Sequence, residues 1–121
     1  MTENGPTLLT GNILIDEQAS AFSGATVNVF LEDVSRQDDS SQVVQKQVIR
    51  NVEHLEGEGQ SIAFAFKGKV PNPESHYIVR VHIDLNGNDS VDVGDLVTME
   101  SFPVLTRGHP SNITVRVNQI K

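Results

Sequence analysis

Apolar residues recur at every second position in this chain. Ile62, Phe64 and Phe66 alternate with small or polar neighbours, and so do Tyr77, Val79, Val81 and Ile83. Ile113, Val115 and Val117 repeat the pattern late in the chain, and Val27, Val29 and Leu31 early in it. Successive side chains of an extended strand point to opposite faces, so this period puts one face on a core and the other in water. Helix start and stop signals are nearly absent. Turn residues separate the runs: Gly24, Gly57 with Gly59, Pro71 with Pro73, Asn86-Gly87, and Gly108-His109-Pro110. The pattern predicts seven strands over 8–15, 25–34, 42–52, 60–67, 76–84, 96–105 and 112–119. Segment 42–52 also fits a short amphipathic helix, but its β-branched valines favour a strand. The expected fold is all-β, a single antiparallel β-sandwich of immunoglobulin-like or transthyretin-like type. It would occupy residues 8–121 behind a flexible N-terminal segment, 1–7. The polar loops 35–41 and 53–59 are too short to divide it.

Composition narrows the function. A chain of 121 residues, 37% of them hydrophobic, is long enough for one core. It has no cysteine, which excludes disulfides, thiolate metal sites and cysteine nucleophiles. No apolar run approaches the roughly 20 residues that span a bilayer, so direct membrane insertion is not expected. Nine basic against sixteen acidic residues leave a net charge of -7. That argues against nucleic acid and anionic lipid as partners, since both need a basic footprint. Met1–Pro6 lacks the basic and apolar regions of a signal peptide. The expected location is cytoplasmic or, if a targeting segment has been removed, periplasmic or lipid-anchored at the envelope. A monomer is expected.

The acidic residues concentrate in one segment. Residues 84–95 read Asp-Leu-Asn-Gly-Asn-Asp-Ser-Val-Asp-Val-Gly-Asp. Numbered as a twelve-residue loop, Asp84, Asn86, Asn88, Asp92 and Asp95 fall at positions 1, 3, 5, 9 and 12, with the Ser90 carbonyl at position 7. This is the ligand spacing of an EF-hand-type loop, and it resembles the calcium loops of dockerin modules. Ca²⁺ takes six to eight oxygens at about 2.3–2.6 Å, and alternate residues of a tightly wound loop converge on one point. Val91 at position 8 would anchor the loop on the core, and Leu96 would re-enter it. Asp89 stands at position 6, where glycine is usual, and would have to adopt positive φ. Position 12 is Asp rather than Glu, and a strand, not a helix, precedes the loop. The competing reading is a solvated type I′ hairpin turn at Asn86-Gly87.

Other chemistry finds little support. His76 and His82 share an outward strand face but lie about 20 Å apart, too far to share a metal. His54 and His109 fall in loops, and all four histidines are expected to be solvated. There is no Gly-x-Ser-x-Gly elbow and no glycine-rich phosphate loop, so no catalytic residue is assigned and an enzyme is not expected.

Outside the acidic loop, Gly24-Ala-Thr-Val-Asn-Val-Phe-Leu-Glu-Asp-Val-Ser-Arg-Gln-Asp38 is similar to the motif of the YbaY-like lipoprotein domain, grouped with the YscW pilotin of type III secretion. Gln60–Phe66, Tyr77–Ile83 and Phe102–Gly108 follow in the order of that family, and Leu31–Ser35 and Pro103–Thr106 are its most specific pieces. The resemblance implies a small non-catalytic β-sandwich tethered to a bacterial membrane through a lipidated cysteine, which this sequence lacks. It also implies a role in assembling a secretion-system outer-membrane ring. Leu31 and Val34 would face the core, and Glu32 and Asp33 would face water, within reach of Arg36 and Arg107.

Three functions follow. One is an envelope-associated module whose calcium loop stiffens a strand connection. Another is a cation-independent structural or pilotin-like interaction domain, and the third a hydrolase. On the first reading, Asp84→Ala or Asp95→Ala abolishes a calcium-dependent rise in melting temperature and leaves the fold intact.

Overall fold

The computed structural model describes residues 6–35 and 42–121. Residues 1–5, and Arg36 to Asp38 with their expected pairings, lie outside the described residues. Among the described residues there is no helix, and eight strands follow one another: β1 (Thr7–Ile15), β2 (Phe22–Asp33), β3 (Gln42–His54), β4 (Gln60–Lys67), β5 (Tyr77–Asp84), β6 (Leu96–Val97), β7 (Pro103–Val104) and β8 (Asn112–Gln119). Segment 42–54 is a strand throughout, as its valines suggest.

The strands hydrogen-bond along one path, β3-β2-β5-β6-β8-β1-β4, with β7 on β5. β2 lies antiparallel between β3 and β5. β1 pairs antiparallel with β4 and parallel with β8. The two-residue strand β6 joins these groups by pairing with both β5 and β8. Two separately paired sheets were expected; the path is instead continuous and rolls into a nearly closed barrel-like sheet. At its ends β3 and β4 meet through side chains: Gln45 Nε2 donates to the Lys67 carbonyl at 2.7 Å, and Ala65 N–H donates to Gln47 Oε1 at 3.0 Å.

Most residues that the alternation marks point inward, with Ile62 and Ile113 only half-buried, and β1 adds inward residues that it did not mark. Val27, Val29, Leu31, Val79, Val81, Ile83, Phe64, Phe66, Val115 and Val117 are all buried, together with Leu9, Ile13, Ile15 and Tyr77. Each such side chain contributes roughly 1.5–3 kcal/mol by leaving water.

The strand expected over 96–105 is broken into β6 and β7. Residues 98–102 still follow β5, but irregularly: Thr98 N–H donates to the Val81 carbonyl, its hydroxyl accepts from Val81 N–H, and Val79 N–H donates to the Phe102 carbonyl. Pro103 has no N–H to continue a ladder. His54 also departs from expectation. It ends β3 inside the protein, 2% exposed, with its ring 5.5 Å from that of Phe22. Gln60 Nε2 donates to the Glu53 carbonyl, which turns Gln60 Oε1 toward His54 Nδ1 at 2.8 Å.

Gly11 fixes the closeness of β1 to its neighbours. A Cβ there would lie 2.4 Å from the Ile113 carbonyl oxygen and 2.5 Å from Phe64 Cζ. Backbone on one side and a core ring on the other leave little room to yield. Gly11→Ala is therefore expected to destabilise the fold by about 2 kcal/mol, read as a fall in melting temperature of several degrees.

Candidate functional site

β5 ends at Asp84, and the loop 85–95 brings Asp95 back beside it in the interior. Asp84 and Asp95 are each 1% exposed and His82 is 5% exposed. Asp84 Oδ1 accepts the backbone N–H groups of Asn86 and Gly87 at 3.2 and 3.0 Å, and Oδ2 accepts that of Asp89 at 2.8 Å. Asp95 Oδ1 accepts Leu85 N–H at 3.1 Å; Oδ2 accepts Asp92 N–H at 3.1 Å and lies 2.9 Å from His82 Nε2. Ligand atoms of His82, Asp84 and Asp95 lie within 4.8 Å of one another. Asp89 adopts φ 63°, the positive value that position 6 demands, whereas Asn86 does not have positive φ, so the turn is not type I′.

The six expected ligands divide into groups. Asp84 and Asp95 converge in the interior. Asn86, Asn88 and Asp92 form a second group nearer the surface, in which Asp92 Oδ2 accepts both amide Nδ2 groups at 3.3 and 2.6 Å. Ser90 is exposed, its N–H bonded to Asn88 Oδ1. Val91 does not anchor the loop: it is 57% exposed, as Val93 is 76% exposed. Leu96 does re-enter the core, at 1% exposure. His82 was missed as a member of the cluster. Period two alone marks it as outward, but loop 85–95 returns over that face and covers it. The i, i+2 spacing of His82 and Asp84 was the available signal.

This arrangement satisfies buried carboxylates from within. Burial disfavours the Asp84 anion, but hydrogen bonds from the backbone of Asp89, Asn86, Gly87 and Asn88 outweigh it and hold its pKa below the usual 3.8. The loop is also tied to the end of β8. Gly94 N–H donates to the Ile120 carbonyl, Ile120 N–H to the Asp95 carbonyl, and Gln119 Nε2 to the Gly94 carbonyl.

The outer face of β2 and β5 carries a second polar group. Glu32 is 4% exposed rather than facing water, and its Oε2 takes Arg80 Nη2 at 2.7 Å. The Arg80 guanidinium lies 4.1 Å from the Phe30 ring centre, and Lys46 Nζ lies 5.4 Å from it. Arg107 turns away from these acids and donates to the Glu74 carbonyl.

The family described as "Type III secretion system lipoprotein chaperone (YscW)" matches residues 5–117, nearly the whole barrel. The chain belongs to this family. Among solved structures the YscW-family chain resembles the alternative pilotin from the type II secretion system of Vibrio cholerae, with 20% sequence identity and a TM-score of 0.70. The likeness covers 93% of this chain and 96% of that one, so the two share a fold. No curated protein matches the chain. The family-like stretch 103–106 has a structural role here. Val104 is fully buried, and Thr106 Oγ1 donates to the Ser75 carbonyl at 2.6 Å, fastening the segment before β8 to the loop before β5.

Burial of Asp84 and Asp95 changes what their loss should do. Asp95→Ala strands His82 and two backbone donors, and is expected to cost on the order of 3 kcal/mol in urea unfolding rather than spare the fold. A carboxyl whose pKa is lowered by folding adds stability above its unfolded value, and that stability is lost as pH falls through its folded value. The folded chain should therefore lose stability below about pH 4, and Asp84→Asn should flatten that limb of the urea midpoint against pH.

Proposed function

We propose that this protein is a non-catalytic assembly factor of the bacterial envelope that binds a subunit of a secretion-system outer-membrane ring. The observation that carries the reading is the family match over residues 5–117, supported by a pilotin fold along 93% of the chain. A lipoprotein chaperone has to recognise a polypeptide and needs no reactive group, and a rigid β-barrel with polar outer faces suits that task. The reading places the protein at the envelope. Deleting its gene is expected to leave the ring subunit of the same genome mislocalised or degraded, and the tagged chain should co-purify with that subunit. Normal ring assembly in the deletion strain overturns the reading.

Loop 84–95 supports a second reading, in which Ca²⁺ stiffens the connection from β5 to β6. Its support is the ligand spacing together with the positive φ of Asp89 and the wrapping of backbone N–H groups around Asp84. Against it stand the His82 nitrogen on Asp95, a poor companion for a hard cation, and the amide nitrogens of Asn86 and Asn88 turned to Asp92. Thermal unfolding in excess EDTA and then in millimolar CaCl₂, with MgCl₂ as control, decides between them. Calcium at about a hundred times its dissociation constant adds roughly 2.7 kcal/mol. No calcium-selective rise leaves the loop held by its hydrogen bonds alone.

A further inference from the structure

We propose that the seam between β3 and β4 is a strand-addition site that receives an extended acidic segment of a protein partner. The proposal rests on the reading that this chain binds a polypeptide, and it names where and in what form.

β3 and β4 are the two ends of the hydrogen-bonded path, so among the described residues each has one edge without a strand neighbour. Unpaired strand edges are templates for another strand, and proteins guard them with prolines, charges or bulges. Here the guard is a pair of glutamines. Gln45 caps the Lys67 carbonyl and Gln47 caps Ala65 N–H, where a neighbouring backbone would otherwise bond. Exchanging a side-chain amide for a backbone amide keeps the number of hydrogen bonds, so this guard can be displaced at little cost. The exposed residues of β4 are Ser61, Ala63, Ala65 and Lys67, three of them too small to obstruct an incoming chain. An open cleft of about 580 Å³ runs between Gln45, Gln47, Ala65 and Lys67, and a second of about 470 Å³ continues it past Ala63.

The groups on offer choose an extended occupant. A helix has spent its backbone N–H and C=O groups internally and cannot pair with an edge; a strand can. Charge chooses its side chains. The chain as a whole carries -7, yet β3 and β4 hold Lys46, Arg50 and Lys67 against the single acid Glu53. All three cations are exposed. A segment with Glu or Asp at alternate positions would set its carboxylates toward them, while its backbone replaces the glutamine caps.

The test uses the full chain and labelled peptides of about ten residues, the length of a long strand. One alternates Thr or Val with Glu, one has Lys in place of Glu, and one is the acidic peptide with a central Pro. In fluorescence anisotropy the acidic peptide should bind about tenfold tighter than either control. Ala65→Pro removes the N–H on the open edge and should weaken binding about tenfold. The double variant Gln45→Ala, Gln47→Ala unlatches the seam and should tighten binding several-fold, an effect that a merely damaged fold would not give. Equal binding of acidic and basic peptides, an unaltered affinity in the double variant, or pairing of two copies through this edge in sedimentation overturns the proposal. Co-purification separates it from the parent reading. If the ring subunit is captured equally by the wild-type chain and by Ala65→Pro, the seam falls and the assembly role stands. If the wild-type chain captures no ring subunit yet binds the acidic peptide, the assembly role falls and the seam stands.

Discussion

Two residues of ladder, Leu96 and Val97, connect the halves of this barrel, and the hydrogen bonds of Asp95 set where that ladder begins. On one side β6 pairs with His82 and Ile83; on the other it pairs with Asn118 and Gln119. A ladder this short has little stability of its own. It is held because the preceding carboxylate collects Leu85 N–H, Asp92 N–H and the His82 ring, while the backbone at Gly94 and Asp95 exchanges bonds with Ile120. The buried acids therefore form the joint between β5 and β8. A charge that is 1% exposed would be costly without such partners, and each carboxylate has at least three. The electrostatics of the loop and the closure of the sheet are one arrangement.

The halves so joined differ in character. β2 and β5 run antiparallel through the middle of their half, with inward residues that are almost all β-branched or leucine. β1 takes an antiparallel neighbour on one side and a parallel one on the other. It does so with Gly11 at the point where Phe64 and the Ile113 carbonyl press closest, so a residue without a side chain is what permits both pairings.

Period two made most of this legible. It located the long strands to within a few residues and named the buried apolar side chains of β4, β5 and β8 and most of those of β2, because one buried face per strand leaves its mark on the sequence; it did not mark those of β1. It failed where a side chain's surroundings come from elsewhere in the chain. His82 and Glu32 stand on outward positions but are covered, one by the loop that follows β5 and the other by Arg80 from the neighbouring strand. Val91 was expected inside because position 8 of such a loop usually holds a β-branched anchor, but it is exposed and the loop is fastened by carboxylates. The break after Val97 was hidden because 98–102 continues to bond to β5 through a threonine side chain and isolated backbone groups. As for the site, the spacing found Asp84 and Asp95 and the unusual φ at Asp89. It did not show that backbone N–H groups would donate to both carboxylates.

The parallel contact of β1 with β8 sets an order of events in folding. Asn112 Nδ2 reaches Thr10 Oγ1 across a sequence separation of 102 residues, near the full span of the chain. Closing so large a loop carries a high entropic cost, and folds dominated by such distant pairings form slowly, in milliseconds to seconds. Before β8 emerges, β1 lacks one of its two neighbours, and β6 has nothing beyond β5 to hold. The barrel thus closes late: its last long strand is the one that completes the pairing of its first.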